Sequence, residues 1–207
     1  MNICVFCSSS NAIPELYFEE ARKLGKLIGD HHHEIIYGGA TVGLMHTVAE
    51  AARQAGARSV GIIPESIHNR RLSSPLDHEQ IITPNMRDRK YLMRKRSDAF
   101  IALPGGFGTL EEILEVITLK QLQYHNKAVV FVNTDGFYNS LFDQFERAYR
   151  DSFSKEDYKS TYFIAANSEE AMDYIHNYIP VEQASKWFDV PGPGEHWMGR
   201  QNLRLRL

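Results

Sequence analysis

The 207-residue sequence contains no long apolar run. Its first run, Ile3 to Cys7, is far shorter than the ~18–20 residues that a membrane-spanning helix needs, and no later stretch approaches that length. The opening MNICVFCSSS also lacks the positively charged segment of a secretory signal peptide. We therefore expect no membrane partner and a cytoplasmic location.

Excess positive charge is absent too. The chain has 23 Lys and Arg against 26 Asp and Glu, a net charge of −3 and an isoelectric point near 6.3. A domain that binds nucleic acid in a general way is usually strongly basic, so we expect no nucleic-acid partner. The remaining composition, 43% hydrophobic and 24% charged, is typical of a globular protein with one sizeable core.

Cysteine is scarce, and the two that occur, Cys4 and Cys7, lie in a predicted buried strand. Their C-x-x-C spacing permits a redox or metal site, but a metal site needs a second pair of ligands. We interpret both as small core residues. The His31–His33 triplet follows a Gly-Asp turn, and a solvated turn is the simpler interpretation than a metal site. We therefore expect no metal site.

What the sequence does contain is a regular alternation of short apolar runs with helical patterns. This alternation predicts an α/β fold, a single Rossmann-like domain whose parallel sheet has helices on both faces. Predicted strands are 2–7, 34–37, 59–63, 79–83, 99–103, 128–132 and 162–165. Predicted helices are 14–29, 42–55, 86–96, 108–123, 137–149 and 168–178. We expect a nucleotide-binding catalytic domain over 1–180 and a C-terminal extension over 181–207.

Small and glycine-rich segments follow three of the predicted strands. They are Ser8–Asn11, Gly38–Gly43 and Pro104–Thr109. Ligands of open α/β sheets bind at the carboxyl ends of the strands, so two neighbouring glycine turns there favour one bound anion or ribose phosphate. Neither turn is a dinucleotide fingerprint or a Walker loop. For the serines alone, ordinary turn chemistry is an equally good explanation.

Two adjacent acids, Glu111 and Glu112, follow the third segment. Their negative charges should repel an anion bound there. One interpretation is a capping box, with Thr109 as the N-cap and Glu112 at the third helical position. The alternative directs Glu112 into the cleft beside a sugar, where a carboxylate could stabilise an oxocarbenium-like ribose or activate water against C1′. The residues alone leave both open.

A basic helix is predicted over 86–96, with the sequence MRDRKYLMRKR. A solvated charged face is the usual fate of such a run. The functional alternative places Arg89 and Lys90 at the cleft, where an arginine could bind a phosphate through two parallel hydrogen bonds.

Three segments together resemble one known family. Residues 104–112, PGGFGTLEE, match its PGGxGTxxE motif; residues 86–93, MRDRKYLM, resemble its MxxRKxxM; residues 37–45, YGGATVGLM, resemble its YGGxxxGLM. The order and spacing of these motifs resemble the LOG (Lonely Guy) family of cytokinin riboside 5′-monophosphate phosphoribohydrolases, whose members have often been labelled lysine decarboxylases. The resemblance runs from about residue 2 to 179.

The resemblance implies hydrolysis of the N-glycosidic bond of a nucleoside 5′-monophosphate, AMP or an N6-modified AMP, to the free base and ribose 5-phosphate. It implies a modified Rossmann fold, no metal or redox cofactor, and a homodimer or higher homo-oligomer. The family's catalytic pair corresponds to Arg89 and Glu112. Its substrate-binding positions correspond to Ser8, Gly39, Met86, Lys90, Gly105, Gly106, Gly108, Thr109, Glu111 and Thr118.

This sequence departs from the family pattern at Ala40 and His46, where glycines are common, and at Arg70–Arg71, near the usual place of a nucleotide-contacting acid. The exchange of an acid for a base there bears on which nucleobase is accepted. Two alternative functions remain: a non-catalytic nucleotide or molybdenum-cofactor carrier on the same fold, and the old decarboxylase label, which needs a pyridoxal phosphate lysine.

Overall fold

The structure, a computed structural model, describes residues 1–181. Within them, seven parallel strands form one sheet in the order β4-β3-β2-β1-β5-β6-β7. The strands are β1 (Asn2–Phe6), β2 (Glu34–Tyr37), β3 (Ser59–Pro64), β4 (Glu79–Thr83), β5 (Ala99–Ala102), β6 (Ala128–Val132) and β7 (Phe163–Ala165). The predicted α/β fold and parallel sheet are confirmed, and the predicted strands agree with the observed ones to within a residue at each end.

Seven α-helices lie within the same residues. They are α1 (Glu15–Asp30), α2 (Gly43–Gln54), α3 (Glu65–His68), α4 (Met86–Arg96), α5 (Phe107–Gln121), α6 (Asn139–Arg150) and α7 (Ser168–His176), with short 3₁₀ turns at Thr134–Gly136 and Glu156–Thr161. The helix α3 was not predicted, because four residues are too few to show a helical period. None of the helices described is long and apolar enough to cross a membrane.

Two apolar cores, one on each face of the sheet, result from the alternation of side chains along the strands. In β1, Ile3 and Val5 belong to the core that also contains Leu24 of α1 and Val48 of α2. The helix α7 packs on this face as well. The intervening Cys4 and Phe6 face the opposite core, and both sides of the strand are buried, as a parallel sheet with helices on both faces requires.

The opposite core is built from β1, β5 and β6 together with α4, α5 and α6. It contains Met93 of α4 and Val116 of α5, and Phe142 of α6 packs against it. The helices α4 and α5 therefore lie on one face of the sheet, and the residues at their amino-terminal ends meet at the carboxyl edge.

The strand order reverses next to β1. The chain runs outward from β1 through β2, β3 and β4, then returns to place β5 on the other side of β1. Loops that leave β1 and β5 diverge at such a switch point and leave a crevice at the carboxyl edge, which is where open α/β sheets bind ligands.

The structure shows where the two cysteines and the three consecutive histidines lie. Cys4 and Cys7 are free and buried, as the core interpretation predicted. His31 and His32 are exposed, whereas His33 is partly buried and its Nε2 lies 2.8 Å from Nε2 of His176. Burial, followed by the positive amino terminus, lowers the pKa of His33 to about 4. Among residues 1–181, no group of three or more His, Cys, Asp or Glu side chains is arranged to hold a metal ion.

Of the predicted C-terminal extension, 181–207, only Val181 lies within the described residues.

Candidate functional site

A cavity of about 420 Å³ opens at the switch point between β1 and β5. It is lined by the loop after β1, the glycine turn after β2, the amino-terminal ends of α4 and α5, and one residue of α3. The lining residues are Cys7, Ser8, Ser9, Ser10, Gly38, Ala40, Met45, Ile67, Met86, Arg89, Gly106, Phe107, Gly108, Thr109, Glu111 and Glu112.

The amino terminus of α5 forms one wall of this cavity. The N-cap is Gly106, and no side chain caps the helix. The first amide groups of a helix have no acceptor within it and carry the positive end of the helix dipole. A Cβ at Gly108 would meet nothing within 4 Å, so the backbone there is open to a ligand. This end of α5 can therefore receive an anionic group.

The capping-box interpretation is wrong. Because α5 begins at Phe107, Thr109 occupies the third helical position and Glu112 lies nearly a turn further along, too far to cap the helix. Thr109 is 3% exposed and packs beside Gly105, where a Cβ would overlap its Oγ1. The glycine at 105 is therefore needed for the tight passage from β5 into α5.

Arg89 enters the cavity from α4 and is buried, with 7% of its surface exposed. Its Nε donates a hydrogen bond of 3.1 Å to the carbonyl oxygen of Ile62 in β3, which fixes the plane of the guanidinium. A Cβ on residue 38 would overlap Nη2 of Arg89 and lie 2.8 Å from Sδ of Met45. Only glycine at position 38 therefore leaves room for the arginine in this orientation.

Glu112 lies beside Arg89 in the cavity lining. Its Oε1 lies 3.3 Å from Nη2 of Arg89, and 8% of the residue is exposed. Burial raises the pKa of the Glu112 carboxyl, and the positive charge of Arg89 lowers it by a smaller amount. A buried carboxyl with a raised pKa that lines a cavity is a candidate for acting on a bound ligand, although structural ion pairs also shift pKa values.

Glu111, the acid next to Glu112, is paired with a different cation. It forms an ion pair with Lys90, whose Nζ also lies 3.0 Å from Glu115. Glu115 in turn pairs with Arg94 at 3.0 Å. Glu111 and Glu115 are thus both paired with cations of α4. This pairing reduces the repulsion between these two acids and an anion bound at the α5 terminus.

The loop after β1 completes the cavity. The amide N–H of Ser10 donates to Oγ of Ser8, and that of Ala12 donates to Oγ of Ser10, each at 3.1 Å. This is the turn chemistry that was one of the two interpretations. A serine oxygen that accepts such a bond keeps its own O–H for donation, so Ser8 can still bind a ligand oxygen.

Of the residues that sequence reasoning proposed, most meet at this cavity. The lining contains Ser8, Met86, Arg89, Gly106, Gly108, Thr109, Glu111 and Glu112. The other four are not among the lining residues: Gly39, Lys90, Gly105 and Thr118. Gly39 and Gly105 shape the adjacent turns, and Lys90 pairs with acids of α5. Thr118 lies further along α5, where its Oγ1 donates to the carbonyl oxygen of Leu114.

Sequence reasoning missed Ile67, Met45 and the contribution of Cys7 to the cavity wall. Ile67 lies in α3, within a segment that shows no period, so no signal marked it. Met45 is the last residue of the YGGxxxGLM segment, so the resemblance of this segment to the family motif could have marked it as a cavity residue. Arg70 and Arg71, which we expected near the usual place of the family's nucleotide-contacting acid, are exposed and lie outside the cavity lining.

The fold and the site together define a class: a Rossmann-like α/β protein with an uncapped helix terminus and a buried Arg–Glu pair at its switch point. A family model described as "Possible lysine decarboxylase" matches residues 45–175. The chain is also 38% identical to the cytokinin riboside 5′-monophosphate phosphoribohydrolase LOG5 of Arabidopsis thaliana, over 89% of this chain and 83% of the relative.

A second relative is the probable cytokinin riboside 5′-monophosphate phosphoribohydrolase LOGL2 of Oryza sativa subsp. japonica. It is 36% identical, and the match covers 93% of this chain and 85% of the relative. The chain therefore belongs to the LOG family of cytokinin riboside 5′-monophosphate phosphoribohydrolases.

A solved structure shares the fold at lower sequence similarity. The molybdenum cofactor binding protein of the phototrophic bacterium Rippkaea orientalis superposes with a TM-score of 0.66 and 24% identity, over 84% of this chain and 94% of that chain. This likeness concerns the fold.

Proposed function

We propose that this chain hydrolyses the N-glycosidic bond of nucleoside 5′-monophosphates, AMP or an N6-modified AMP, and releases the free base and ribose 5-phosphate. The observation that carries the proposal is the buried ion pair of Arg89 with Glu112, 3.3 Å apart, beside the uncapped amino terminus of α5. Membership of the LOG family supports the same reaction.

The 5′-phosphate binds the amino terminus of α5 in this proposal. The amide groups of Phe107, Gly108 and Thr109 supply donors, and the helix dipole adds favourable charge. Ser8, on the opposite wall, supplies a hydroxyl. Backbone donors need no basic side chain, and Lys90 remains paired with Glu111 and Glu115.

Glu112 then faces the ribose. As the bond between C1′ and the base nitrogen breaks, positive charge develops on the sugar, and a nearby carboxylate either stabilises it or removes a proton from the attacking water. Water adds its oxygen to C1′, and the base leaves with a proton. Arg89 holds the carboxylate in place and contributes a fixed positive charge for the phosphate or the departing base.

A decarboxylase is the weaker candidate for this site. A pyridoxal phosphate enzyme requires a lysine whose amine reaches the cofactor. Over residues 1–181, the cavity lining contains no lysine. The absorbance spectrum of the purified protein tests this directly, since an internal aldimine would give a visible band.

The direct test is incubation of the purified protein with AMP and with N6-isopentenyl-AMP, followed by chromatography for the free base. Adenosine, ADP and 2′-deoxy-AMP serve as controls. We expect cleavage of monophosphates and little cleavage of the unphosphorylated riboside. Rapid cleavage of adenosine would contradict the role of the α5 amides. Tight nucleotide binding without turnover would favour the carrier function instead.

The proposal includes a cytoplasmic homodimer or higher homo-oligomer, as the family resemblance implies. Thr118 is a predicted substrate-binding residue that lies away from the cavity of its own chain. Sedimentation of the purified protein tests the oligomeric state.

A further inference from the structure

A buried carboxylate lies behind the switch-point cavity, on the side of the sheet that α2 covers. It belongs to Asp77, in the loop between α3 and β4, and its side chain is fully buried. The hydroxyl of Tyr37, the last residue of β2, donates to Oδ1 and Oδ2 at 2.9 Å each. Arg53 of α2 donates from Nη1 to Oδ1 at 3.0 Å. Asp77 is not among the residues that line the cavity, and the proposed mechanism gives it no role.

This network is a costly way to stabilise a fold. Burial raises the pKa of the Asp77 carboxyl, and the Tyr37 hydroxyl and the charge of Arg53 lower it by smaller amounts. A buried ion pair loses much of its Coulomb energy to desolvation, so well-packed apolar residues of similar volume are often equally stable. The position of the carboxylate relative to the sheet indicates a more specific role.

The carboxylate contacts two strands at one level of the sheet. Tyr37 of β2 and Gly61 of β3 are partners in the parallel register. A Cβ on residue 61 would overlap Oδ2 of Asp77 at 2.2 Å, so the carboxylate packs against this glycine. Asp77 therefore holds Tyr37 by a hydrogen bond and Gly61 by contact, and it ties the ends of β2 and β3 together.

On each of these strands the next residue contacts Arg89. On β2 this residue is Gly38, where a Cβ would lie 2.4 Å from Nη2 of the arginine. On β3 it is Ile62, whose carbonyl oxygen accepts the 3.1 Å hydrogen bond from Nε. Both backbone points that set the guanidinium therefore lie one residue beyond the pair that Asp77 ties.

We propose that Asp77 is a positioning residue for Arg89. It fixes the spacing between the ends of β2 and β3, and this spacing sets where the guanidinium lies relative to Glu112. For its consequence in catalysis, the inference rests on the proposed function, in which Arg89 holds the Glu112 carboxylate beside the ribose. A misplacement of about 1 Å at such a group costs on the order of 10²-fold in rate.

Nuclear magnetic resonance of the arginine side chains tests the positioning without turnover. The Nε–H of Arg89 is hydrogen-bonded and buried, so it should exchange slowly with solvent, and its absence in Arg89→Lys identifies the signal. In Asp77→Asn we expect this signal to shift and its hydrogen exchange to become several-fold faster. Tyr37→Phe leaves the pair of Asp77 with Arg53 intact and should change the signal less. It replaces Asp77→Asn if that variant fails to fold.

The matched control is Tyr178→Phe. It removes a hydroxyl that also bonds to a charged side chain, Lys120, near the opposite end of α5 from the cavity. The Arg89 signal of this variant should match that of the parent. An unchanged Arg89 signal in Asp77→Asn, or in Tyr37→Phe where the first variant does not fold, overturns the proposal. An equal change in the control overturns it as well.

Steady-state kinetics with AMP test the consequence for catalysis. Asp77→Asn should lower kcat by at least about tenfold and change KM little, because α5, which binds the phosphate in the proposed function, lies on the other face of the sheet. In an Arg89→Ala background the same substitution should lower kcat/KM by less than about twofold. An equal loss in both backgrounds means general damage to the fold and overturns the proposal.

The two experiments separate this inference from the proposed function. If the parent releases no base from any nucleoside monophosphate, the hydrolase function fails. The comparison of the Arg89 signals still decides whether Asp77 positions the arginine, because that measurement requires no substrate.

Discussion

Arg89 and Glu112 lie 3.3 Å apart at the base of the cavity, on two different helices whose amino-terminal ends meet at the carboxyl edge of the sheet. The arginine is held by a hydrogen bond to the carbonyl oxygen of Ile62 in β3, so its position depends on the sheet as well as on α4. The pair therefore combines a rigid cation with a carboxylate that lines the cavity, next to a helix terminus suited to a phosphate.

Replacing the carboxylate tests its chemical role. Glu112→Gln keeps the size of the side chain but removes the charge that stabilises an oxocarbenium-like sugar and the capacity to accept a proton. We expect kcat with AMP to fall by about 10²–10⁴-fold. Nucleotide affinity, measured by calorimetry, should change little, and the circular dichroism spectrum should be unchanged.

Full turnover by Glu112→Gln would contradict the assignment of this residue. Glu115→Gln is the matched control: it is the same substitution one turn further along α5, at a residue that pairs with Lys90 and Arg94 but does not line the cavity. Its kcat should remain within a few-fold of the parent value.

Arg89→Lys tests whether the geometry of the guanidinium matters or only its charge. A lysine cannot donate to the Ile62 carbonyl and pair with Glu112 in the same fork-like arrangement. We expect Arg89→Lys to lose activity nearly as severely as Arg89→Ala, on the order of 10²-fold in kcat/KM. Steady-state kinetics with AMP measure both. If Arg89→Lys is fully active, charge alone suffices and the positioning by β3 is irrelevant.

Much of this arrangement was accessible from the sequence. Apolar runs and helical periods predicted the strands and most helices, because a buried parallel sheet leaves a strong pattern. The glycine turns were expected to meet at one edge, as parallel topology demands, and both contribute residues to the cavity there. For the basic helix, a place at this edge was one of two interpretations.

What the sequence could not supply was the exact start of α5. A capping box and a cleft-facing Glu112 use the same residues, Thr109 to Glu112. The capping box needs a helix that starts at Leu110, three residues after the observed start at Phe107. Ile67 was missed for a related reason: it belongs to one turn of helix, α3, whose position is set by tertiary contacts. Lys90, a predicted substrate contact, forms ion pairs with Glu111 and Glu115, and this pairing depends on how α4 packs against α5.

Gly38 offers a test of the packing behind Arg89. A Cβ at this position would overlap Nη2 of Arg89, so Gly38→Ala must displace the guanidinium from Glu112. We expect a loss in kcat/KM of at least about tenfold. The same substitution in an Arg89→Ala background should have almost no further effect, because the group that it displaces is already absent.

This double-mutant cycle distinguishes a positioning role from general damage to the fold. If Gly38→Ala lowers activity by the same factor in both backgrounds, the glycine acts independently of Arg89 and the packing argument fails. Thermal unfolding of all four proteins shows whether stability changes in parallel.

The pH dependence should report the charges around Glu112. Burial raises the pKa of this carboxyl, Arg89 and Lys90 lower it, and Glu111 raises it. Since the reaction needs the carboxylate, activity should be lost as the pH falls through the pKa of Glu112, at a pH above the usual range for a glutamate.

Two neighbouring substitutions should shift the pH at which activity is lost on the acid side, and they should do so in opposite directions. Glu111→Gln removes a negative charge and should shift it to lower pH, whereas Lys90→Gln removes a positive charge and should shift it to higher pH, each by a few tenths of a pH unit. The profile of kcat/KM reports the free enzyme, and its ratio to the parent profile cancels the titration of the substrate phosphate. Shifts in the same direction would mean that a group other than Glu112 controls the loss of activity at low pH.

Lys120 gives a prediction on stability that is independent of catalysis. Its side chain is fully buried, and Nζ donates to the carbonyl oxygen of Lys127 at 2.9 Å and to the Tyr178 oxygen at 2.8 Å. Burial lowers the pKa of this lysine to about 8, so the folded state releases its proton at a lower pH than the unfolded state does. Between these two values the unfolded state binds more protons, and folding becomes more favourable as the pH rises.

The free energy of unfolding of the parent relative to Lys120→Met should therefore increase from about pH 8 to pH 10, by an amount on the order of 2–3 kcal/mol when the whole difference in pKa contributes. Urea unfolding at a series of pH values measures it, and the comparison between variants removes contributions from other groups that titrate in this range. Lys23→Met, at an exposed position of α1, is the control and should show no such slope. A flat difference for Lys120→Met would mean that the buried amine stays protonated, stabilised by the Lys127 carbonyl and the Tyr178 hydroxyl.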